Sequence, residues 1–589
     1  MAAAKKMRAA FDHDNFVLSR SAAAAFFVIR RTPKHRIKWP HYSSTHCACS
    51  WRALSSVPES DDEPSPSDGY LAMSSHHPLR SVLKIGSNTM LSRLLGFARD
   101  VILARLFGAG EIADAFFVAF RIPNLFRRLF GEGAFSQSFV PVLGEYRATR
   151  SVEETRAFVA DVAGWLALTL AVVTIVGILG ASAVVYAIAP GFADSPDKFH
   201  LTVELLRITF PYLFFISLVA LAGGVLNTYG RFTVPAFTPV FLNLSIIAAA
   251  VFWAPHLQQP AIAVAWGVFI GGVLQLLFQL PALRQVGHLP WPRLRRRDPG
   301  VGKVLRLMGP AAFGASVAQI NLFLNTILAS LVGANVVSYL YYSDRLVEFP
   351  LGVFGVALGT VVLPLLSRQA AERSPQFPKT LDWALRLTWL IGLPATVGLL
   401  ILAQPLLISL FRYGAYTAED AWQSTLSLMG YGLGILPIIA ARVLAPAFYA
   451  HQNTRTPVRF GMISVAVNMG ISLVLAWPLH QLGLAIATSC AALVNAFLLW
   501  RRLRRDGLYQ PQPGWPKLLL KSAGLAVIMG MVLLFLRGNT ALWLSLSLWE
   551  RLLRVLSLTL LAATLYLAGA WWLGIHELRD LYRQRSSRA

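Results

Sequence analysis

"LSRLLGFARDVILARLFGAGEIADAFFVAFRIPNLFRRLFGEGAF", from Leu91 to Phe135, is apolar enough over most of its length to lie in a bilayer. It nevertheless carries six arginines (Arg93, Arg99, Arg105, Arg121, Arg127, Arg128) and four acids (Asp100, Glu111, Asp114, Glu132). An ionisable side chain in the middle of a membrane helix costs about 2.5–3.5 kcal/mol on the insertion scale, so it faces protein or water rather than lipid. The stretch therefore predicts two membrane helices with one wet or protein-covered face.

The rest of the chain supports that reading. Of 589 residues, 55% are hydrophobic and only 14% are charged, against about 25% charged in soluble domains. The mean hydropathy is +0.54. The formal net charge is +24. In a soluble protein such an excess would suggest nucleic acid; in a membrane protein it points first to loops facing anionic lipid and to basic groups kept inside the bundle, and no nucleic-acid partner is expected. Three cysteines, Cys47, Cys49 and Cys490, give neither a metal spacing nor a disulfide framework.

Residues 1–72 differ from the remainder. They hold ten Lys/Arg, a ten-residue apolar stretch ("SAAAAFFVIR") too short to span, and the polar run "SSVPESDDEPSPSDGY". This segment reads as a disordered extension outside the fold, with Met73 as the working start, in preference to a targeting segment. Beyond it, apolar segments long enough to cross a bilayer fall at about 79–103, 112–135, 158–188, 201–227, 234–254, 261–283, 304–332, 338–366, 382–410, 424–449, 458–479, 482–500, 517–536 and 548–574. The expected fold is all-α and polytopic, with about fourteen transmembrane helices.

Lysine and arginine are distributed unevenly between the two sides. Connectors after odd-numbered spans contain only Arg105, Lys198, Arg412 and Arg537, whereas "RQVGHLPWPRLRRRDPGVGKVLR" and "RRLRRDGLYQPQPGWPKLLLK" lie on the other side. By the positive-inside rule both termini are cytoplasmic. A repeat is also visible. "ILARLFGAG" at Ile102 and "ILASLVGAN" at Ile327 are 225 residues apart, as are Asn243 and Asn468; Pro211 and Pro437 are 226 apart. Two six-helix lobes in pseudo-twofold repeat follow, 73–300 and 301–505, with an added C-terminal helix pair and basic tail, 506–589.

Charge inside the spans concentrates in spans 1, 2 and 8, the last through "YYSDRLVEFP" (Asp344, Arg345, Glu348). Arg105, Arg121 and Arg128 lie near span ends, where snorkelling accounts for them. Arg93, Arg99 and Arg127 lie within or close to the apolar runs. Arg345 and Glu348, three apart, share a helix face and can pair. Two symmetric bundles around a polar cavity make a transporter plan. Arginine lining selects an anion, and its planar fork suits phosphate. No P-loop, His/Glu metal motif or nucleophile elbow occurs, so the chain reads as a transporter and not an enzyme, without cofactor, metal or catalytic residue.

"SRLLGFARDVILARLFGAGEIADAFFVAFRIPNLFRRLFGEGAFSQSFVPVL", "APGFADSPDKFHLTVELLRITFPY", "YYSDRLVEFPLGVFGVALGTVVLP" and "VLAPAFYAHQNTRTPV" resemble the bacterial lipid II flippases of the MurJ (MviN) type, within the multidrug/oligosaccharidyl-lipid/polysaccharide exporter superfamily. The resemblance covers residues 79–575. It implies a central cationic cavity and alternating access that carries undecaprenyl-pyrophosphoryl disaccharide-pentapeptide to the outer leaflet of the bacterial inner membrane for peptidoglycan synthesis. It also implies action as a monomer among membrane lipids and cell-wall synthesis enzymes. The substrate-binding arginines it implies are Arg93, Arg99, Arg127 and Arg345, with Asp100, Asp114, Asn124, Glu132 and Glu348 as supporting polar groups. The C-terminal pair resembles the family's groove for the lipid tail. Two departures stand out. "FRYGAYTAED" has Arg412 and Tyr416 where the family pattern has a neutral polar residue and phenylalanine. Span 7 offers Asn321 and Asn325 but no carboxylate for the sodium site proposed in some members.

The same phosphate chemistry would serve a flippase for another polyprenyl-linked glycan, of O-antigen or capsule type. A membrane glycan polymerase would need catalytic acids over an outer cavity, where only Asp194, Asp197, Glu419 and Asp420 are available. A multidrug cation exporter fits worst, because the cavity has the wrong sign.

Overall fold

The computed structural model describes residues 78–127, 135–289, 291–294, 298–352 and 356–575. The N-terminal extension, Arg128 and Glu132 lie outside them. Among the described residues there is no strand. That is what a hydrocarbon solvent requires, since a helix satisfies its own backbone while an open sheet edge cannot.

The described residues of every expected span lie largely in helices, with parts of spans 2 and 8 lying outside the described residues. Spans 1 to 3 are α1 (Pro78–Phe107), α2 (Glu111–Phe126) with α3 (Phe135–Thr149), and α4 (Val152–Leu179) with α5 (Ala181–Ile188). Spans 4 to 6 are α6 (Pro196–Thr209) with α7 (Tyr212–Thr228), α8 (Thr233–Phe237) with α9 (Pro239–Ala248), and α10 (Pro260–Gln285). The second half begins with α11 (Pro299–Val332), α12 (Val336–Pro350) with α13 (Val356–Ala371), and α14 (Phe377–Phe411). It continues with α15 (Ala418–Gly432), α16 (Ile435–Ala450) and α17 (Arg455–Arg505). The added pair is α18 (Trp515–Arg537) and α20 (Leu548–Trp572), joined through the short α19 (Thr540–Ser545).

Local chemistry sets these limits. Asp298 precedes Pro299 and accepts from the N–H groups of Gly300 (2.7 Å) and Val301 (3.3 Å), filling orphan donors at the start of α11. Reciprocal capping boxes start α4 (Ser151/Glu154), α15 (Thr417/Asp420) and α20 (Ser547/Glu550). Pro211 separates α6 from α7, because its ring removes a helix hydrogen bond. α17 holds spans 11 and 12 together. It reverses at His480 (φ 47°, ψ −128°), so that Ser464 reaches the Ala491 carbonyl at 2.8 Å across the two arms.

The packing repeats between the halves. α2 lies on α6 as α12 lies on α15, and α3 lies on α7 as α13 lies on α16. The two halves meet where α2 packs on α12 and α3 on α11, while α18 and α20 pack on each other and on α14. Val176, Leu179, Phe535 and Trp572 are exposed. So much bare apolar surface is tolerable in lipid and not in water. The protein is a multi-pass membrane protein.

The halves are sewn together at the end where the odd connectors lie. The Ala415 N–H donates to the Arg105 carbonyl at 2.9 Å, and the Tyr342 hydroxyl to the Gly108 carbonyl at 2.9 Å. Gly108 (φ +64°) has the Ala415 carbonyl where a Cβ would stand. Only glycine combines that backbone conformation with so close an approach.

Candidate functional site

α1 and α12 bring one arginine from each half to the same depth. Arg99 and Arg345 lie eight and nine residues from the closed ends of their helices, about 12–14 Å inward at 1.5 Å per residue. Between them stands Asp100, only 1% exposed. Arg99 donates to Asp100 Oδ1 through Nη2 (2.7 Å) and Nε (3.0 Å), and Arg345 Nε lies 3.0 Å from Asp100 Oδ2. One carboxylate thus serves two guanidinium groups in a largely buried place. Such a cluster persists only where hydrogen bonds compensate the lost hydration.

The remaining bonds come from neutral neighbours. Asn243 Oδ1 accepts from Arg99 Nη1 at 3.1 Å, while its own amide donates to the Ser92 carbonyl at 3.1 Å. The Tyr341 hydroxyl donates to Asp100 Oδ1 (3.0 Å) and accepts from Arg345 Nη2 (3.1 Å), with Arg99 Nη2 at 3.4 Å. Its ring stacks on Phe117 of α2 at 3.7 Å and lies under the Arg345 guanidinium at 4.8 Å. Arg345 Nη1 also binds Glu348 at 2.8 Å, the i,i+3 pairing expected from spacing.

Further arginines lie beyond this cluster. Arg93 is exposed, although it sits about 21 Å from the closed end of α1. Its guanidinium covers Gly352, just past α12. Arg442 donates to the Leu351 carbonyl at 3.1 Å and feels the charges of Glu348 and Arg93. On α2, Phe117, Phe120, Arg121, Asn124 and Arg127 form one stripe at helical spacing. Arg127 Nε donates to Asn124 Oδ1 at 2.8 Å. Arg121, expected to snorkel, is instead half-buried and donates to Thr326 of the other half at 2.6 Å. Asp344 and Glu348 are exposed inside span 8.

Asp114 lies apart from the arginine cluster, near the start of α2. It is fully buried and accepts from Lys198 Nζ (2.7 Å), the Ser338 N–H (2.8 Å) and the Ser338 hydroxyl (2.5 Å). Lys198 also lies 4.1 Å from the Phe192 ring. This ion pair belongs to the sewn end of the seam. The sequence had singled out Arg93, Arg99, Asp100, Arg345 and Glu348, which the structure gathers along α1 and α12. It had missed Tyr341, Asn243, Arg442 and Lys198 as members of these networks.

The sodium chemistry considered for span 7 does not fit the residues present. Asn468 Nδ2 donates to Asn321 Oδ1 and Asn325 Oδ1, both at 2.7 Å, and Thr488 closes the group at 3.4 Å from Asn325 and Asn468. The amides bond to one another, and among the described residues no carboxylate joins them to balance a cation. Among the described residues no group of three or more His, Cys, Asp or Glu is placed to hold a metal.

Two helical halves, a cationic seam between them and an apolar exterior define a polytopic membrane transporter of the two-bundle kind. A family model described as lipid II flippase MurJ matches residues 103–554. A probable lipid II flippase MurJ of Vibrio cholerae is 44% identical over 511 residues, 85% of this chain and 97% of that protein. A lipid II flippase MurJ of Burkholderia cenocepacia is 45% identical over 455 residues, 76% of this chain and 88% of that protein. A solved structure of a lipid II flippase MurJ in an inward closed conformation superposes with a TM-score of 0.72 at 27% identity, covering 85% of this chain and all of that one. The chain belongs to the lipid II flippase MurJ family.

Proposed function

We propose that this protein translocates lipid II, the undecaprenyl-pyrophosphoryl disaccharide-pentapeptide precursor of peptidoglycan, from the inner to the outer leaflet of the bacterial inner membrane. Family membership supports the cargo. The observation that carries the mechanism is that Arg99 and Arg345, from opposite halves, share Asp100 and Tyr341 at one depth in the bundle. A diphosphate entering there exchanges the single carboxylate for a dianion that both guanidinium forks can grip. Arg93 and Arg127, about 21–24 Å from the closed end, receive the head group first, with Asn124 and Glu348 orienting them. Glu132 joins this supporting set by resemblance.

In this reading both termini are cytoplasmic, as the lysine and arginine bias indicates, and the sewn end faces outward. The working units are residues 73–300, 301–505 and 506–589, acting within one monomer alongside the enzymes that make and consume lipid II. Outward opening parts the halves at Asp114–Ser338, Gly108–Tyr342 and Arg105–Ala415 while the opposite end closes. A membrane potential can bias the step, since one charge crossing 100 mV is worth about 2.3 kcal/mol. The test is lipid II exposure on the outer leaflet of cells depleted of their own flippase. Arg99→Ala and Arg345→Ala should each abolish exposure while the protein stays in the membrane. Normal exposure with both variants would remove the arginines from the mechanism.

A further inference from the structure

Arginine 412, the basic residue in the connector that the transport seam does not use, has company. Arg412, Arg551 and Arg554 reach α19 through the Leu544 carbonyl and the Trp543 ring, on the side of the membrane where lysine and arginine are otherwise scarce, and Arg537 lies just before it in the chain. Arg412 Nη1 (3.2 Å) and Arg551 Nη2 (3.0 Å) donate to the same carbonyl oxygen, that of Leu544. Arg537 Nη1 donates to the Ile401 carbonyl (3.1 Å) and Arg554 Nη2 to the Leu536 carbonyl (3.0 Å). Arg554 also lies 5.6 Å over the ring of Trp543.

Three of these charges, Arg412, Arg551 and Arg554, therefore meet at α19, received by backbone carbonyls and by the rings of Tyr413 (6.0 Å from Arg551) and Trp543. Among the described residues none of the four is ion-paired. The nearby acid in sequence, Glu550, is held by the Ser547 N–H (2.7 Å) and hydroxyl (2.8 Å) of its own cap. Arg551 is 7% exposed, and its Nε is buried with no hydrogen-bond partner. Two guanidinium groups converging on one neutral oxygen repel each other, and an anion would relieve that repulsion. Exposed apolar side chains flank the cluster: Phe535 on α18, and Leu548, Trp549 and Leu553 on α20. Charge at the membrane interface beside bare apolar surface matches one kind of ligand, an amphiphile with an anionic head.

We propose that Arg412, Arg551 and Arg554 form a docking site for the phosphate head group of a membrane lipid, which under the orientation proposed above lies in the outer leaflet. The phosphate can come from an anionic phospholipid or from a polyprenyl pyrophosphate. The site shares no residue with the Arg99–Arg345 cluster and is tested without transport.

The full chain in detergent is titrated with short-chain phosphatidylglycerol, phosphatidylcholine and inorganic phosphate, with retained lipid read by native mass spectrometry and stabilisation by thermal unfolding. Phosphatidylglycerol should bind about tenfold or more tightly than phosphatidylcholine, and Arg412→Gln/Arg554→Gln should erase that difference. Arg412→Lys/Arg554→Lys, which keeps the charge, should retain most of it and guards against a folding defect. Equal binding of phosphatidylglycerol by wild type and the Gln variant overturns the proposal. So does inorganic phosphate binding as tightly as the lipid, which would mark an adventitious ion only. Competition by polyprenyl pyrophosphate identifies the source, and either answer supports the site. Because binding is read directly, a loss here and a loss of lipid II translocation are separate results.

Discussion

Tyr341 is the residue on which the arginine cluster turns. One hydroxyl accepts from Arg345 and donates to Asp100, with Arg99 close by, and its ring is fixed by Phe117. Tyr341→Phe keeps the stacking and removes those bonds. A net loss of about 1–2 kcal/mol is expected, read as roughly a tenfold fall in lipid II exposure at unchanged protein level. Asp114 and Lys198 form the other sensitive pair. Removing one partner leaves an uncompensated buried charge, so Asp114→Asn or Lys198→Met should destabilise by about 3–5 kcal/mol, whereas Asp114→Leu/Lys198→Met should be milder; thermal unfolding in detergent distinguishes these. Legibility at this scale followed energy. Arg99 and Arg345 could be read because a charge in an apolar run demands a reason. Tyr341 and Asn243 could not, since a neutral tyrosine or asparagine in a span is unremarkable until its partner from another helix is seen. Lys198 looked like an ordinary connector residue because its acid lies 84 positions away.

Among the elements, two joints govern how helices are held. At the sewn end, Gly108→Ala would place a methyl group against the Ala415 carbonyl in a left-handed conformation. Faster hydrogen exchange over residues 104–116 is the expected outcome, because that closure cannot re-form. At the opposite end, Asp382 of α14 ties down the connector before α18. It accepts from the Tyr509 hydroxyl (2.8 Å), Trp515 Nε1 (2.7 Å) and the Gln512 N–H (3.3 Å), and pairs with Arg386 at 2.7 Å. Burial, then the neighbouring Asp382 carboxylate, pushes the Tyr509 phenol above its ordinary value near 10. A raised acid of this kind stabilises the fold fully below its unfolded value and loses that contribution progressively as pH rises from there through the raised folded value. The connector should therefore resist limited proteolysis up to about pH 10 and become cleavable above it, and Asp382→Ala should make it cleavable at neutral pH. Apolar length revealed the spans themselves. The break at Gly434 was not legible, because bundle neighbours can absorb freed backbone groups that a single helix could not.

Over the whole molecule, the duplication has kept its frame and divided its charge. At the 225-residue offset Asn325 stands where Asp100 does, Leu324 where Arg99 does, and Asn468 where Asn243 does. In the first half the fifth span holds an arginine; in the second it holds only amides. Position rather than arginine number should then decide transport. Leu324→Arg/Asn325→Asp, which copies the charged pair into the second half, should fail to restore lipid II exposure to an Arg99→Ala protein. Rescue would show that any cationic group in the bundle suffices. The repeat was legible from three coincident spacings, but the division of labour was not, since it depends on Arg345 crossing from the second half to Asp100 of the first.

The shared carboxylate has a consequence for the resting molecule. Asp100 fastens an arginine of its own helix to one from across the seam, so under the proposed function cargo that claims both guanidinium groups would leave this acid stranded in a dry place. The loaded carrier is thereby unsettled and pushed toward its other shape. Once the diphosphate departs, the acid recaptures both partners and draws the two halves back. On the proposed cycle, the protein itself supplies a stand-in that neutralises the arginines on the return stroke.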